Sequence, residues 1–310
     1  MCSRVLVWTL ALVLPCLLPG QRPAPGGKTI VAITAGGGDV LRGAGGTLAK
    51  FIDEGFRVFV IQAGNDEKNS VGLSPADTRL ANNAETEEAA RALGITEVFN
   101  LNNKSGELSQ LSSNELRNQM SALIRYYKPQ KLFIPDPFIH YEPEWDQFWT
   151  ARAAEETNYS NSGYFLAELT RMGIGGHGVA ETYYYSAHRP YRPGEGGHND
   201  AKFMPIDITR TFSRKVEACL KLRTANLAYA THVKRRLELM GRPASLLDAV
   251  NDSTTLPLVR ALLEELAGTI GNKHGFRYGE EFNYHGSPPG RKSALPPWVT
   301  EKAKPLSSRP

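Results

Sequence analysis

The chain reads as a three-layer, Rossmann-like α/β domain built on a mostly parallel sheet. Two observations predict this. Short β-branched runs alternate with segments of helical periodicity, and the turns between them are short and marked by Gly or Pro. In addition, 41% of the 310 residues are hydrophobic, enough to bury a sizeable core and to exclude a disordered chain.

Thr29–Thr34 (TIVAIT) is the first strand and opens into Gly36-Gly37-Gly38. Residues 43–54 have helical spacing, with Leu48, Phe51 and Ile52 on one face, and Gly55 ends that helix. A second buried strand follows over 57–62. Residues 76–93 read as a helix stopped by Gly94, 97–101 as a third strand and 114–127 as a helix. The segment 131–135 (KLFIP) is a fourth strand ending in a proline-bounded loop, 147–169 a helix and 179–185 (VAETYYY) a fifth strand. A long helical stretch over 208–240 and a helix over 256–267 complete the pattern. In an open sheet of this kind ligands bind at the carboxyl ends of the strands. That singles out four loops: 35–46, 63–70, 136–147 and 186–199.

The ends carry a different signal. Arg4 precedes an apolar run from Val5 to Leu18, too short for the roughly 20 residues of a membrane span. This is the pattern of a secretory signal peptide. The expected organisation is a signal peptide over 1–20, a flexible leader over 21–27, the folded domain over 28–285 and an irregular tail over 286–310. Export follows as the expected location, with a membrane anchor as the alternative if the segment is retained; once it is removed, no stable membrane insertion is expected. Of three cysteines, only Cys219 lies beyond the leader, so no internal disulfide is expected. Asn-x-Ser sequons begin at Asn103, Asn158 and Asn251. The formal charge of +4 is spread along the chain without a basic run, which argues against a nucleic-acid partner. Nothing in the sequence fixes an oligomeric state.

The glycine-rich loop after the first strand suggests a dinucleotide fingerprint, but counting from Gly36 or Gly43 puts Leu41 or Leu48 where the third glycine should fall. A different resemblance covers residues 28 to about 285. The stretch 33–61 resembles the opening of the PIG-L (LmbE-like) N-acetylglucosamine deacetylase family. There the first strand runs into Ala-His-Pro-Asp-Asp-Glu, then Gly-x-Gly-Gly-Thr-Leu-Ala, then a Gly-x-x-Val turn. Ala35 takes the first position, and Gly43, Gly45, Gly46, Thr47, Leu48 and Ala49 fill the second block, with Gly55 and Val58 in the turn. The similarity continues through Gly64-Asn65-Asp66-Glu67-Lys68, Glu85, Leu93-Gly94, Gly106-Glu107-Leu108, Pro135-Asp136-Pro137, Ile206-Asp207-Ile208-Thr209, Lys215, Glu217-Ala218 and Glu281-Phe282.

The resemblance implies a LmbE/PIG-L-like fold and a zinc ion held by a His-Asp-His set. The ion polarises an acetamide carbonyl and lowers the pKa of its bound water toward ~7, and a neighbouring Asp accepts the proton. Carried onto this sequence, the first ligand falls on Gly36, the base on Gly38, the surviving ligand on Asp39 and the third ligand on Gln147, beside Asp146. Two sugar contacts of the family fall near Asn82 and Ser105. Glycine offers neither imidazole nor carboxylate, so zinc is expected to be absent or weakly held, by Asp39 and Gln147 alone. Restoring the set through Gly36→His, Gly38→Asp and Gln147→His is expected to bring metal back. A rebuilt site drawing on His140, Asp39 and Glu142 or Glu144 is the alternative, and His188 and His198 lie in a neighbouring loop.

Several of these residues also have plain structural readings. Asp39 and Asp146 each suit a helix cap, and His140 and His188 suit loop positions. Phe138, Tyr141, Trp145, Phe148 and Trp149 cluster within a dozen residues, a composition found both in cores and on sugar-stacking faces. The expected pocket therefore includes Asp146, His140, Glu144, Trp145 and His188. The expected ligand is an N-acetylated sugar or glycoconjugate, bound by a catalytically degenerate member of the family. An active metal-dependent deacetylase with a rebuilt ligand set is the competing expectation.

Overall fold

The computed structural model describes residues 27–139, 144–159, 165–191, 203–286 and 297–302. The segment expected to be a signal peptide, 1–20, lies outside the described residues, as do His140, Tyr141, Glu142, His198 and most of the tail.

Seven strands form one sheet in the order β3-β2-β1-β4-β5-β7-β6. These are β1 (Thr29–Thr34), β2 (Arg57–Gly64), β3 (Glu97–Asn103), β4 (Lys131–Pro135), β5 (Glu181–Tyr185), β6 (Phe203–Asp207) and β7 (Gly279–Gly286). β1 to β5 pair in parallel, with Ile30 opposite Val58 on one side and Lys131 on the other; β7 runs antiparallel between β5 and β6. The helices are α1 (Asp39–Asp53), α2 (Pro75–Leu93), α3 (Ser113–Tyr127), α4 (Trp145–Tyr159), α5 (Ala167–Arg171), α6 (Phe212–Leu220), α7 (Arg223–Leu239), α8 (Asp252–His274) and α9 (Pro297–Lys302).

Strand alternation divides the core into two layers. Ile30, Ala32, Val58, Val60, Phe133 and Tyr183 pack under α1, α2, α6 and α8. Val31, Ile33, Phe59, Ile61, Leu132, Ile134 and Tyr184 pack under α3 and α4. Helix ends follow local chemistry. Ser74 Oγ accepts from Asp77 N before Pro75 at the start of α2, and Gly94 closes that helix at φ 92°. Asn251 and Thr254 make a capping box at the head of α8.

Three sequence expectations need correction. The helix expected over 147–169 is two helices, α4 and α5. The stretch 208–240 is also two, because α6 ends at Leu220 and α7 begins at Arg223. β6 and β7 were not expected. β6 contains Pro205, and β7 carries Glu280 and Glu281 side by side, so neither has a strand-like apolar pattern.

β1 lies between β2 and β4. The chain winds outward from β1 through β2 to β3, with α1 and α2 over one face. It then returns to β4, with α3 and α4 over the other. The crevice between the carboxyl ends of β1 and β4 is thus the topological switch point of the sheet, where open α/β folds take their ligands.

Candidate functional site

At the carboxyl end of β1 the backbone passes through Gly36, Gly37 and Gly38 into α1. None of the three has a positive φ, and Gly38, the N-cap of α1, sits at φ −83°, ψ −26°. An L-residue can adopt this conformation, so what the turn requires of glycine is space. A Cβ at position 36 would stand 2.6 Å from Asp66 Oδ1. One at 37 would stand 2.2 Å from Thr86 Oγ1, and one at 38 would stand 3.2 Å from Leu222 Cδ1 and 3.3 Å from the Arg42 guanidinium. Four side chains, from the loop after β2, from α1, from α2 and from the turn between α6 and α7, therefore press on a bare turn.

Asp66 is fixed in that position. Its Oδ2 accepts from Gly37 N (2.9 Å) and from Gln62 Nε2 (3.1 Å). Its own N–H donates to Ser105 Oγ, and Asn82 Nδ2 donates to its carbonyl. Asn82 and Ser105, expected near the sugar contacts, thus hold the Asp66 loop.

Asp39 does not cap α1. It is the first helical residue, where its charge suits the helix dipole, and its Oδ2 faces Gly36 N at 3.3 Å. Arg42 Nη1 lies 3.6 Å from Asp39 Oδ1, and His188 Nε2 lies 3.9 Å away. His188 is therefore a neighbour of Asp39 rather than a bystander in its loop. Asp146 is not spent on capping α4: its carboxylate accepts from Gly106 N and Leu108 N, which ties α4 to the loop after β3. Gln147 lies one residue on, in the first turn of α4, 3% exposed. Both its amide nitrogen and its amide oxygen lack a hydrogen-bond partner. A buried amide in this state costs about 1–3 kcal/mol.

Three carboxyls here, those of Asp39, Asp66 and Glu144, are pushed above their ordinary range. Burial raises the pKa of Asp39, opposed by Arg42 and by the Gly36 N–H, and Asp146 adds a further upward push. Asp66 is pushed up to about 7, first by burial and then by the negative charge of Asp39, against the pull of the Gly37 N–H and Arg42. Partial burial and then Asp39 raise Glu144.

Zinc wants three protein ligands in tetrahedral array. Here Asp39 and the Gln147 amide oxygen are what the expected ligand positions provide, and Asp66 fills the volume a side chain at 36 would need. Among the described residues no three His, Cys, Asp or Glu come together to hold an ion. Among the described residues, the donors at the expected positions do not make the set of a catalytic zinc; His140 and Glu142 of the rebuilt alternative lie outside them. Restoring His at 36 requires the Asp66 carboxylate to move aside.

The aromatic cluster divides. Trp145 is 74% exposed, and Phe138 and Trp149 are partly so, while Tyr183, Tyr184 and Tyr185 are core. Trp145, Phe148 and Trp149 meet edge to face at 6.2 and 5.3 Å, an open aromatic step beside the crevice. Two residues that matter here, Arg42 and Asp66, were not singled out from sequence. The available signal for Asp66 was its place in a charged loop at the end of β2.

Residues 31–146 match the family model for GlcNAc-PI de-N-acetylase, PIG-L. A diacetylchitobiose deacetylase from Thermococcus kodakarensis is 24% identical over 166 residues, covering 53% of this chain and 61% of that relative's length. Among solved structures, an N,N'-diacetylchitobiose deacetylase from Pyrococcus horikoshii, complexed with its inhibitor, superposes with a TM-score of 0.64 at 23% identity over 84% of both chains. The zinc-inhibited form of teicoplanin deacetylase Orf2 gives 0.54 at 13% identity, over 85% of this chain and 100% of that one. No helix among the described residues is long and apolar enough to cross a membrane.

Proposed function

Residues 31–146 of this chain are a PIG-L family domain, and from that premise we propose that the protein is a non-hydrolytic member, an exported protein that binds N-acetylated sugars or glycoconjugates without cleaving the amide. The observation that carries this reading is the packing of the Gly36–Gly38 turn. Positions 36 and 38, where the resemblance puts the first ligand and the base, carry no side chains; a Cβ at 36 would stand 2.6 Å from Asp66 Oδ1, and one at 38 would stand 3.2–3.3 Å from Leu222 and Arg42. Amide hydrolysis needs an activated water and a polarised carbonyl, and no residue at 36 or 38 can supply either.

What remains suits binding. Trp145 offers an exposed ring for a sugar face. The unpartnered Gln147 amide is complementary to an acetamide, with which it can both donate and accept. The sugar class comes from the relatives, which act on diacetylchitobiose by name.

The test is an acetate-release assay on N,N'-diacetylchitobiose with zinc supplied, alongside metal analysis of the purified protein. The expected result is no acetate, substoichiometric zinc and saturable binding of the disaccharide. Acetate release that a chelator abolishes, or one tightly held ion per chain, overturns the reading in favour of a working deacetylase with a rebuilt ligand set. Failure to bind any N-acetylated sugar removes the ligand class.

A further inference from the structure

Asp39 stands at the carboxyl end of β1 with its side chain only 15% exposed, and a carboxylate so far withdrawn from water demands a counter-charge. The guanidinium beside Asp39 is Arg42, one turn along α1, at 3.6 Å. It is held over Gly38 in space that a Cβ there would crowd at 3.3 Å. Its side chain is 22% exposed, and on its other side it borders a small cavity walled by the Lys215–Glu280 pair. Arginine stays charged at every working pH and offers five N–H donors in a planar fork. The Asp39 contact leaves donors of that fork to spare, and no hydrogen bond joins the guanidinium to another described side chain.

We propose that Arg42 is the resident cation of this crevice: it neutralises Asp39, keeps divalent ions out, and turns its remaining N–H donors to the acetamide oxygen of the ligand. The disagreement between the donor set and zinc then has a cause beyond missing ligands, because the site brings its own positive charge. The ligand half of this inference rests on the sugar-binding reading; the ion half does not.

The experiment titrates zinc chloride, and separately N,N'-diacetylchitobiose, into the wild-type protein, Arg42→Gln and Arg42→Lys by calorimetry, with circular dichroism confirming the fold of each. Arg42→Gln is expected to gain at least tenfold in zinc affinity, while Arg42→Lys, which keeps the charge, gains none. Equal zinc affinity in wild type and Arg42→Gln overturns the ion half. Disaccharide affinity is expected to fall at least fivefold in both variants, since lysine lacks the fork; unchanged affinity overturns the ligand half. If the wild type binds no disaccharide, it is the sugar reading that fails, and the zinc titration still decides the role of Arg42.

Discussion

Helix α1 begins at one glycine cluster and passes through another, and the two are packed in opposite ways. At Gly43, Gly45 and Gly46 the helix backbone is approached by settled partners. A Cβ at 43 would stand 2.6 Å from the Tyr185 ring and 2.8 Å from the Ser186 carbonyl, and one at 46 would stand 2.7–2.9 Å from Ile208. Gly46 N and Thr47 N donate to the Glu280 carboxylate at 2.9 and 2.7 Å, Thr211 Oγ1 donates to Gly46 O, and Lys215 pairs with Glu280 at 2.7 Å. Lys215 and Glu280 are 1% and 2% exposed. Every charge there is matched. At Gly36–Gly38 the approach is just as close, but the arriving groups are a carboxyl held well above its ordinary pKa, a guanidinium and, nearby, an amide with no partner. The first cluster is a brace; the second borders the crevice proposed as the site. Glycine alone does not distinguish them, and the state of the neighbouring polar atoms does.

Substitutions at the two clusters can sharpen or break this contrast. The largest effect is expected at Glu280→Ala, which strands a buried Lys215 and two backbone N–H groups. A loss of about 3–5 kcal/mol is expected in denaturant unfolding, and a loss under 1 kcal/mol would mean that the brace is not one. Gly46→Ala forces Ile208 or the helix to move and should cost roughly 1–3 kcal/mol, whereas Gly38→Ala, with contacts of 3.2–3.3 Å, should stay within about 0.5 kcal/mol.

Asp66 brings a pH signature. Its folded-state pKa of about 7 lies above its ordinary value of 3.8, so between those limits the folded chain keeps a proton that the unfolded chain has lost. Stability attributable to Asp66 is full below pH 4, falls as pH rises, by at most about 1.4 kcal/mol per pH unit, and levels off above pH 7. Asp66→Asn should therefore gain on the wild type between pH 4.5 and 7 in parallel unfolding curves; a difference that does not vary with pH would refute the raised pKa. Gln147→Leu removes the orphaned amide and should stabilise by about 1–2 kcal/mol while weakening disaccharide binding. Thermal melts together with calorimetry read both effects. Trp145→Ala, at an exposed ring, should leave the melting temperature unchanged and weaken disaccharide binding by roughly 0.5–1.5 kcal/mol.

The sequence makes β1 to β5 legible because each is a short apolar run cut off by Gly, Pro or a charge. β7 is not legible, because what makes Glu280 and Glu281 tolerable in a buried strand is Lys215, the α1 backbone, Lys273 and His274, none of which is adjacent in sequence. The site is half legible. Asp39, Asp146 and Gln147 follow from position along a resembling chain. Asp66 in the space beside Gly36 does not, because what occupies a glycine's missing side chain is a fact of three dimensions, set here by a residue 30 positions on. The capping role weighed for Asp146 gives way to bonds with Gly106 and Leu108, about 40 residues away, for the same reason.

β7 is hydrogen-bonded on both sides, to β5 and to β6, yet it follows both of them in sequence. During synthesis the ribosome must pass α6, α7 and α8 before those two earlier strands find the partner between them. Until then a half-finished sheet has open edges and lacks the carboxylate that secures α1, and any product terminated ahead of Gly279 is left in that condition permanently.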